Sequence, residues 1–284
     1  MGSCLKKLRV VLLSFFILAV TAPAAQAYVL SGPHLIELMT TKLGRVKRLM
    51  AVQKLFIYDS GLQHTPVELN ETVRYLFPIS FRSDIESDGA KRFYVASRDA
   101  AVTIVDGQIA SQDESRFDRY KDILLYHSRT ALIEHLTLMG LDVTLTSLGR
   151  FEGLTAFVIG AQYPDVSSSQ IWIDRETFRP FRWLIVENRS GGGRDRFEIR
   201  YLNWQRIDGK WYPMQIEFYE GLQLIRKIRV DSIRIDPDIA RDIFDVEHFR
   251  SMYQTLPEHG LDSEGAGGLR ELKMTIENFK KLYE

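Results

Sequence analysis

The feature that most constrains the fold is a series of alternating apolar and polar segments separated by short turn signals. In the second half of the chain these signals lie at residues 175–177, 208–209 and 220–221. Segments of period two on either side of such turns are typical of strands joined as antiparallel hairpins. We therefore predict a long antiparallel β-meander.

Several of the predicted strands are long, and residues 194–207 form one continuous example. Long twisted strands in one meander tend to curl into a barrel or half-barrel. The fold class that follows is mainly β with helices (α+β).

The predicted helices and the first strands follow local signals. Pro33 suits the first turn of a helix, and Gly44 suits its end. We read residues 72–85 as one strand with Pro78 at an edge or a bulge. Residues 236–244 are predicted to form a short helical turn capped at its start.

A helical stretch is predicted to interrupt the β pattern at residues 117–139, where apolar side chains recur at spacings of three and four. An amphipathic helical pair inserted into a sheet protein must cover apolar surface. The residues of its predicted apolar stripe are Phe117, Tyr120, Leu124, Ala131, His135 and Leu138.

Three strands are apolar on both faces, at residues 156–159, 171–173 and 183–186. A sheet with one core alternates apolar and polar residues, so these strands need two covers. Two interpretations stay open: plain packing under the helices, or an apolar cavity for acyl chains. The candidate lining residues are Phe157, Trp183, Ile185, Phe197, Ile199, Met214, Ile216 and Phe218.

The neighbouring strands alternate well. Phe197 and Ile199 are interleaved with Arg196, Glu198 and Arg200, and we expect this charged face to contact water.

Motifs for catalysis or metal binding are absent from the sequence. The six histidines form neither H-x-H nor H-E-x-x-H, and there is no G-x-S-x-G or D-x-D-x-D. The glycine-rich residues 190–194 precede a strand rather than a helix, which favours a hairpin loop over a phosphate loop. We expect no catalytic residue, no metal and no cofactor. An enzyme remains a third hypothesis, and a buried cluster of titratable side chains in a cleft would favour it.

The N-terminus indicates export. Basic residues, an apolar run at residues 10–20 and a small-residue site at 25–27 are typical of a cleavable signal peptide over residues 1–27. That run is too short to span a bilayer, so we expect no membrane span after cleavage. Cys4, the single cysteine, precedes the apolar run, so lipidation at the cleavage site is not expected.

The charge balance argues against nucleic acid as a partner. The chain has 37 basic and 37 acidic residues, and cleavage of the signal would leave 34 and 37. Proteins that bind nucleic acid need concentrated positive charge.

Two local patterns resemble the outer-membrane lipoprotein-sorting superfamily, which contains periplasmic lipoprotein carriers and their sensor relatives. One is a strand, Asp, turn and Pro hairpin at residues 170–180. The other is the short acidic turn at residues 237–245 that ends near Phe244. The resemblance covers residues 28–250.

The resemblance implies an unclosed half-barrel around a hydrophobic cavity, with helices as a lid on its concave side, in a periplasmic protein. It also implies a non-catalytic carrier for lipoprotein acyl chains or another lipid. Residues 251–284 are expected to form a linker and an amphipathic C-terminal helix. That helix motivates the alternative, an envelope sensor or interaction protein that docks on a protein partner.

Overall fold

The computed structural model describes residues 29–58, 66–87, 90–98, 100–188 and 194–255. The predicted signal peptide, the glycine-rich loop and the C-terminal helix lie outside these residues. The domain boundaries that depend on them therefore remain predictions.

The chain begins with a helix and the first meander. Helix α1 is followed by six strands, and Gly44 ends the helix as predicted, with a φ of 79°. The elements are α1 (Gly32–Leu43), β1 (Arg48–Ile57), β2 (Val67–Leu76), β3 (Ser80–Ser87), β4 (Ala90–Ser97), β5 (Ala100–Val105) and β6 (Gln108–Ser111).

Short helices then separate the first meander from the second, and a further helical segment follows the last long strand. The helical elements are a 3-10 helix (Arg119–Lys121), α2 (Asp122–Leu125) and α3 (Arg129–Leu138), and later a 3-10 helix (Asp242–Phe244) and α4 (Val246–Met252). The second set of strands is β7 (Thr146–Phe151), β8 (Leu154–Ile159), β9 (Gln170–Asp174), β10 (Pro180–Asn188), β11 (Arg194–Ile207), β12 (Lys210–Glu220), β13 (Gln223–Ile235) and β14 (Gln254–Thr255).

All these strands form one sheet in the order β14-β6-β5-β4-β3-β2-β1-β13-β12-β11-β10-β9-β8-β7. Antiparallel pairing of β1 with β13 joins the two meanders, whereas β14 pairs with β6 in parallel. The two end strands do not pair with each other among the described residues, so the fold is an unclosed half-barrel, as predicted.

The connection between the meanders, residues 112–145, crosses from one end of the sheet to the other because β6 and β7 lie near opposite ends. It carries the 3-10 helix, α2 and α3, and we call it the helical cover. Helix α1 packs beside it, in contact with α3 and β12. The main core lies between these helices and the inner face of the sheet.

Two local predictions were wrong. Residues 72–85 form a hairpin of β2 and β3, and Pro78 lies in its turn after a cis peptide bond. A proline in the turn leaves the hydrogen-bond ladder of the two strands without a gap. Residues 236–240 are not helical; the Asp236 carboxylate accepts hydrogen bonds from the backbone of Lys47 and Arg48 instead.

The helical cover is present as predicted, but its buried face differs from the predicted stripe. In α3 the buried residues are Leu132 and Leu136, whereas Leu138 is 86% exposed. Ala131 and His135 are half-buried. The cover is divided into short helices, so one stripe does not continue from residue 117 to residue 139.

Candidate functional site

The eight predicted lining residues come together on the inner face of β8, β10, β11 and β12. Seven of them are buried in the main core, and Met214 packs against it half-buried. Their alternation along each strand is the predicted one. Ile199 lies opposite Phe218, and Trp183 lies opposite Ile199, so the set forms a continuous apolar surface.

Aromatic side chains of the helical cover lie directly on this surface. The ring centroid of Phe117 is 5.3 Å from that of Phe197 and 5.9 Å from that of Phe218. Tyr120 also meets Phe218 edge to face, at 6.0 Å. Because the cover occupies the space above the predicted lining, an acyl chain reaches this surface only if the cover moves.

The doubly apolar strands have two separate covers. Phe157, Ile171 and Trp183 face the main core, whereas Val158 and Trp172 face a second cluster on the outer side of the sheet. Phe151 and Phe181 pack around the Trp172 ring there. The outer apolar faces are therefore explained by a small aromatic cluster of their own.

One prediction for the outer face was wrong. Glu198 is not in water but 95% buried, because Arg182 on β10 lies opposite the same stretch of β11. Arg182 Nη2 donates to Glu198 Oε2 at 2.6 Å, and the Arg182 guanidinium lies 4.1 Å from the Phe151 ring centroid. Burial beside an aromatic ring makes this an ion pair of the packed interior.

A polar network that the sequence analysis missed lies between the sheet and the cover. Arg92 on β4 donates from Nη2 to Asp118 Oδ2 at 3.0 Å, and both side chains are more than 90% buried. Glu71 on β2 accepts a hydrogen bond from Gln53 Nε2 at 2.7 Å. Burial raises the pKa of Glu71, although hydrogen bonds from Ser83 and Gln53 oppose this effect.

A second polar group is centred on Lys121 and Asp122, where the cover meets β4. Lys121 Nζ lies 2.8 Å from Asp122 Oδ1 and also contacts Glu114, while His135 Nε2 lies 2.8 Å from Asp122 Oδ2. Tyr94 donates its hydroxyl to Glu114 at 3.1 Å. The group therefore links the cover to an inner-face tyrosine of the sheet.

The charges of this group follow from its pairing. Burial alone would lower the pKa of Lys121, but Asp122, Tyr94 and Glu114 raise it well above its usual value. Burial acts to raise the pKa of Asp122, yet Lys121 and His135 hold it below its usual value. The pair is thus an ammonium and a carboxylate, whereas burial raises the pKa of Glu114.

A third contact joins the link between α2 and α3 of the cover to Gly44, which follows α1, and to the start of β12. The buried Lys210 Nζ lies 2.8 Å from His127 Nε2 and donates to the Gly44 carbonyl at 3.2 Å. Burial lowers the pKa of Lys210 to about 7 and that of His127 to about 3. The His127 imidazole is therefore neutral at pH 7, and the Phe77 ring stacks on it with a centroid distance of 4.0 Å.

The missed residues left one usable signal in the sequence. Gln53 and Glu71 occupy inner positions of alternating strands, beside Leu55 and Val73, where an apolar residue is the rule. A polar residue at such a position predicts a buried partner. Asp118, Lys121 and Asp122 left no such signal, because their burial depends on how the cover crosses the sheet.

Within the described ranges, no three His, Cys, Asp or Glu side chains are grouped as a metal site would require. The part of the chain that the structure describes also contains no helix that is both long and apolar enough to cross a membrane. What the inner face offers chemically is a large apolar surface with paired charges at its margin.

Comparison with solved structures relates this architecture to known proteins. A LolA superfamily protein from Nitrosomonas europaea superposes with a TM-score of 0.52 at 10% identity, over 78% of this chain and 100% of that one. A protein described as an outer membrane lipoprotein-sorting domain, from Vibrio parahaemolyticus, gives 0.52 at 11% identity, over 77% and 98%. A DUF1329 family protein from Desulfovibrio piger gives 0.50 at 14%, over 77% and 97%.

Sequence comparison adds nothing to this: no protein-family model and no curated protein matches the chain. At such low identities the structural likeness concerns the fold alone. It confirms the fold that the resemblance implied, and the described residues have the unclosed half-barrel fold of the LolA and outer-membrane lipoprotein-sorting proteins.

Proposed function

We propose that this protein is a non-catalytic carrier that holds an acyl chain of a lipid or lipoprotein between the inner face of the sheet and the helical cover. The observation that carries the proposal is the continuous apolar inner face of β8 and β10–β12, covered by a segment that is attached to the sheet mainly through side chains. The fold shared with proteins described as lipoprotein-sorting supports it.

The proposed setting is the periplasm, after removal of residues 1–27, in lipoprotein sorting or envelope maintenance. A binding role outside the membrane fits a chain with the export signal described above. The alternative, docking of an envelope protein through the helix predicted in residues 269–283, concerns residues that the structure does not describe. It remains a prediction.

Catalysis is the weaker interpretation even though a buried titratable cluster exists. Lys121 is held as an ammonium by its acidic neighbours, and an ammonium is neither a base nor a nucleophile. Asp122 is held as a carboxylate between Lys121 and His135. These groups satisfy one another, so we propose that they fasten the cover.

Two tryptophans on opposite faces of the sheet allow a matched test. Trp183 on β10 faces the proposed binding surface, and Trp172 on the neighbouring β9 faces the outer aromatic cluster. A brominated fatty acid quenches the tryptophans it contacts. We expect quenching to persist in Trp172→Phe and to fall by more than half in Trp183→Phe.

The control is the unbrominated fatty acid. It carries no heavy atom and so should not quench the fluorescence of either variant. Equal quenching in the two variants would mean that the acyl chain binds away from Trp183. The absence of saturable quenching in the unsubstituted protein would contradict acyl binding altogether.

A further inference from the structure

A cavity with a volume of about 320 Å³ lies at the margin of the helical cover, beside the proposed acyl site. Its size is at the lower end of that of small-molecule sites, roughly 300–1,000 Å³. The Lys121–Asp122 pair lines it, together with Glu114 and His135. This cavity is polar, in contrast to the apolar inner face.

The cavity borders the apolar core. Tyr94, Ala96 and Leu125 line the cavity and also belong to the main core under the cover. Tyr126 and Ala101 line it too and pack against the same core. A molecule with an apolar tail under the cover would therefore have its polar end at this cavity.

The charges around the cavity are of both signs and come from different elements. Arg98 lies in the turn between β4 and β5, where its backbone N–H donates to the Ile79 carbonyl. Asp113 and Glu114 come from the segment that follows β6. Lys121 is an ammonium bound to Asp122 and Glu114 and lies over the Phe81 and Tyr94 rings, so its charge is balanced within the lining. The charges that a ligand would meet are those of Arg98 and Asp113.

A group that satisfies this arrangement needs a cation and an anion close together. An ammonium would bind the carboxylate of Asp113, and a phosphate would bind the guanidinium of Arg98. Charge-assisted hydrogen bonds of this kind are the strong ones. A purely anionic group would meet the Asp113 carboxylate, and a purely cationic group would meet the Arg98 guanidinium.

We infer that this cavity is the headgroup site for a zwitterionic phospholipid of the phosphoethanolamine type, whose acyl chain lies under the cover. The inference rests on the proposed function and narrows its ligand from acyl chains in general to a lipid with an ammonium and a phosphate. The same headgroup chemistry occurs in free glycerophosphoethanolamine, so the test separates the two sources.

The test is calorimetric titration of the full chain with three ligands: dihexanoyl phosphatidylethanolamine, dihexanoyl phosphatidylglycerol and glycerophosphoethanolamine. We expect the ethanolamine lipid to bind about tenfold tighter than the glycerol lipid, as expected for one charge-assisted hydrogen bond. Glycerophosphoethanolamine should bind more weakly than the lipid, because it lacks the acyl chains.

Variants assign the contacts. Asp113 is exposed, so Asp113→Asn is compatible with folding. This variant should lower the affinity for the ethanolamine lipid and leave the affinity for the glycerol lipid unchanged. Glu114→Gln would also remove the ion pair with Lys121, so Asp113→Asn is the decisive variant. Arg98→Asn introduces a residue type that tolerates the φ of 55° found there, and it should weaken the binding of both lipids. Glu68→Gln, on the outer face of β2, is the matched control.

The outcomes separate the two proposals. Equal affinity for the two lipids, or a preference that Asp113→Asn leaves intact, would overturn the headgroup site while the acyl site stands. If neither lipid binds tighter than glycerophosphoethanolamine, the acyl proposal fails. In that case, glycerophosphoethanolamine binding that Asp113→Asn weakens would still support the cavity as a headgroup site.

Discussion

At the scale of single residues, the buried Arg92–Asp118 pair between sheet and cover has the largest predicted effect on stability. Removing one partner of a buried ion pair costs about 3–5 kcal/mol. We expect Asp118→Ala to lower the free energy of unfolding by this amount in urea titrations. The double variant Arg92→Met with Asp118→Leu should recover most of the loss.

The control for this pair is Glu68→Ala, which removes the partner of Lys54 on the outer face. Both side chains of that pair are substantially exposed, and such pairs contribute about 0–1 kcal/mol. A loss below about 1 kcal/mol for Asp118→Ala as well would show that the Arg92 contact does not hold the cover.

Lys210 predicts a pH dependence of stability. Its pKa is about 7 in the folded protein, against the usual 10.5, so between these values the unfolded chain binds more protons than the folded one. The free energy of unfolding therefore rises with pH across this window. The stability that Lys210 contributes above pH 10.5 is lost as the pH falls toward 7. The slope is at most about 1.4 kcal/mol per pH unit.

To isolate this effect, the unsubstituted protein and the Lys210→Met variant are compared by urea unfolding between pH 7 and pH 9.5. The free energy of unfolding of the unsubstituted protein, minus that of Lys210→Met, should increase as the pH rises. Parallel pH profiles for the two proteins would show that Lys210 is charged in the folded state.

Residue-level prediction from the sequence worked where period two decided the outcome. The inner positions of β11 and β12 follow from alternation alone, since residues two apart in a strand share a face. Glu198 shows where this reasoning fails. Its outer position was predicted correctly, but its burial depends on Arg182 of the neighbouring strand. The sequence of a single strand does not show which strand lies beside it.

At the scale of elements, the cover and α4 offer two comparable phenylalanines. Phe117 packs on the inner face, and Phe249 packs on Phe93 at the outer face. Replacing a buried phenylalanine by alanine costs about 3–5 kcal/mol, and less where the ring is half-buried. We expect Phe117→Ala to accelerate amide hydrogen exchange across residues 117–138 and to speed uptake of a fatty-acyl probe.

Phe249→Ala is the matched control, because it removes the same ring from the other side of the sheet. It should accelerate exchange in α4 and leave both the cover and the probe uptake unchanged. Faster uptake in both variants would mean that general destabilisation, rather than movement of the cover, admits the probe.

The elements themselves were predictable where turns gave strong signals. The hairpin turns at Asp106-Gly107 and Asp208-Gly209 have positive φ at both residues, as the sequence indicates. The β2–β3 hairpin was missed because its turn, with Pro78, contains no glycine or asparagine. The face of α3 was wrong because a ten-residue helix carries too few apolar positions to fix its rotation.

At the scale of the whole molecule, the pairing of β1 with β13 determines the shape. It places β6 and β7 near opposite ends of one sheet and so sends residues 112–145 across the inner face. Contacts so distant in sequence leave no local pattern. The family resemblance, rather than periodicity, carried the prediction of an unclosed half-barrel, and the structure confirms it.

The central claim is that an acyl chain enters between the cover and the inner face. Photocrosslinking of the full chain with a photoreactive fatty acid, followed by peptide mapping, tests it most directly. We predict crosslinks on inner-face residues such as Trp183, Ile199 and Phe218, and on Phe117 of the cover. Crosslinks concentrated on the outer aromatic cluster around Phe151 and Trp172, or spread evenly over the surface, would contradict it.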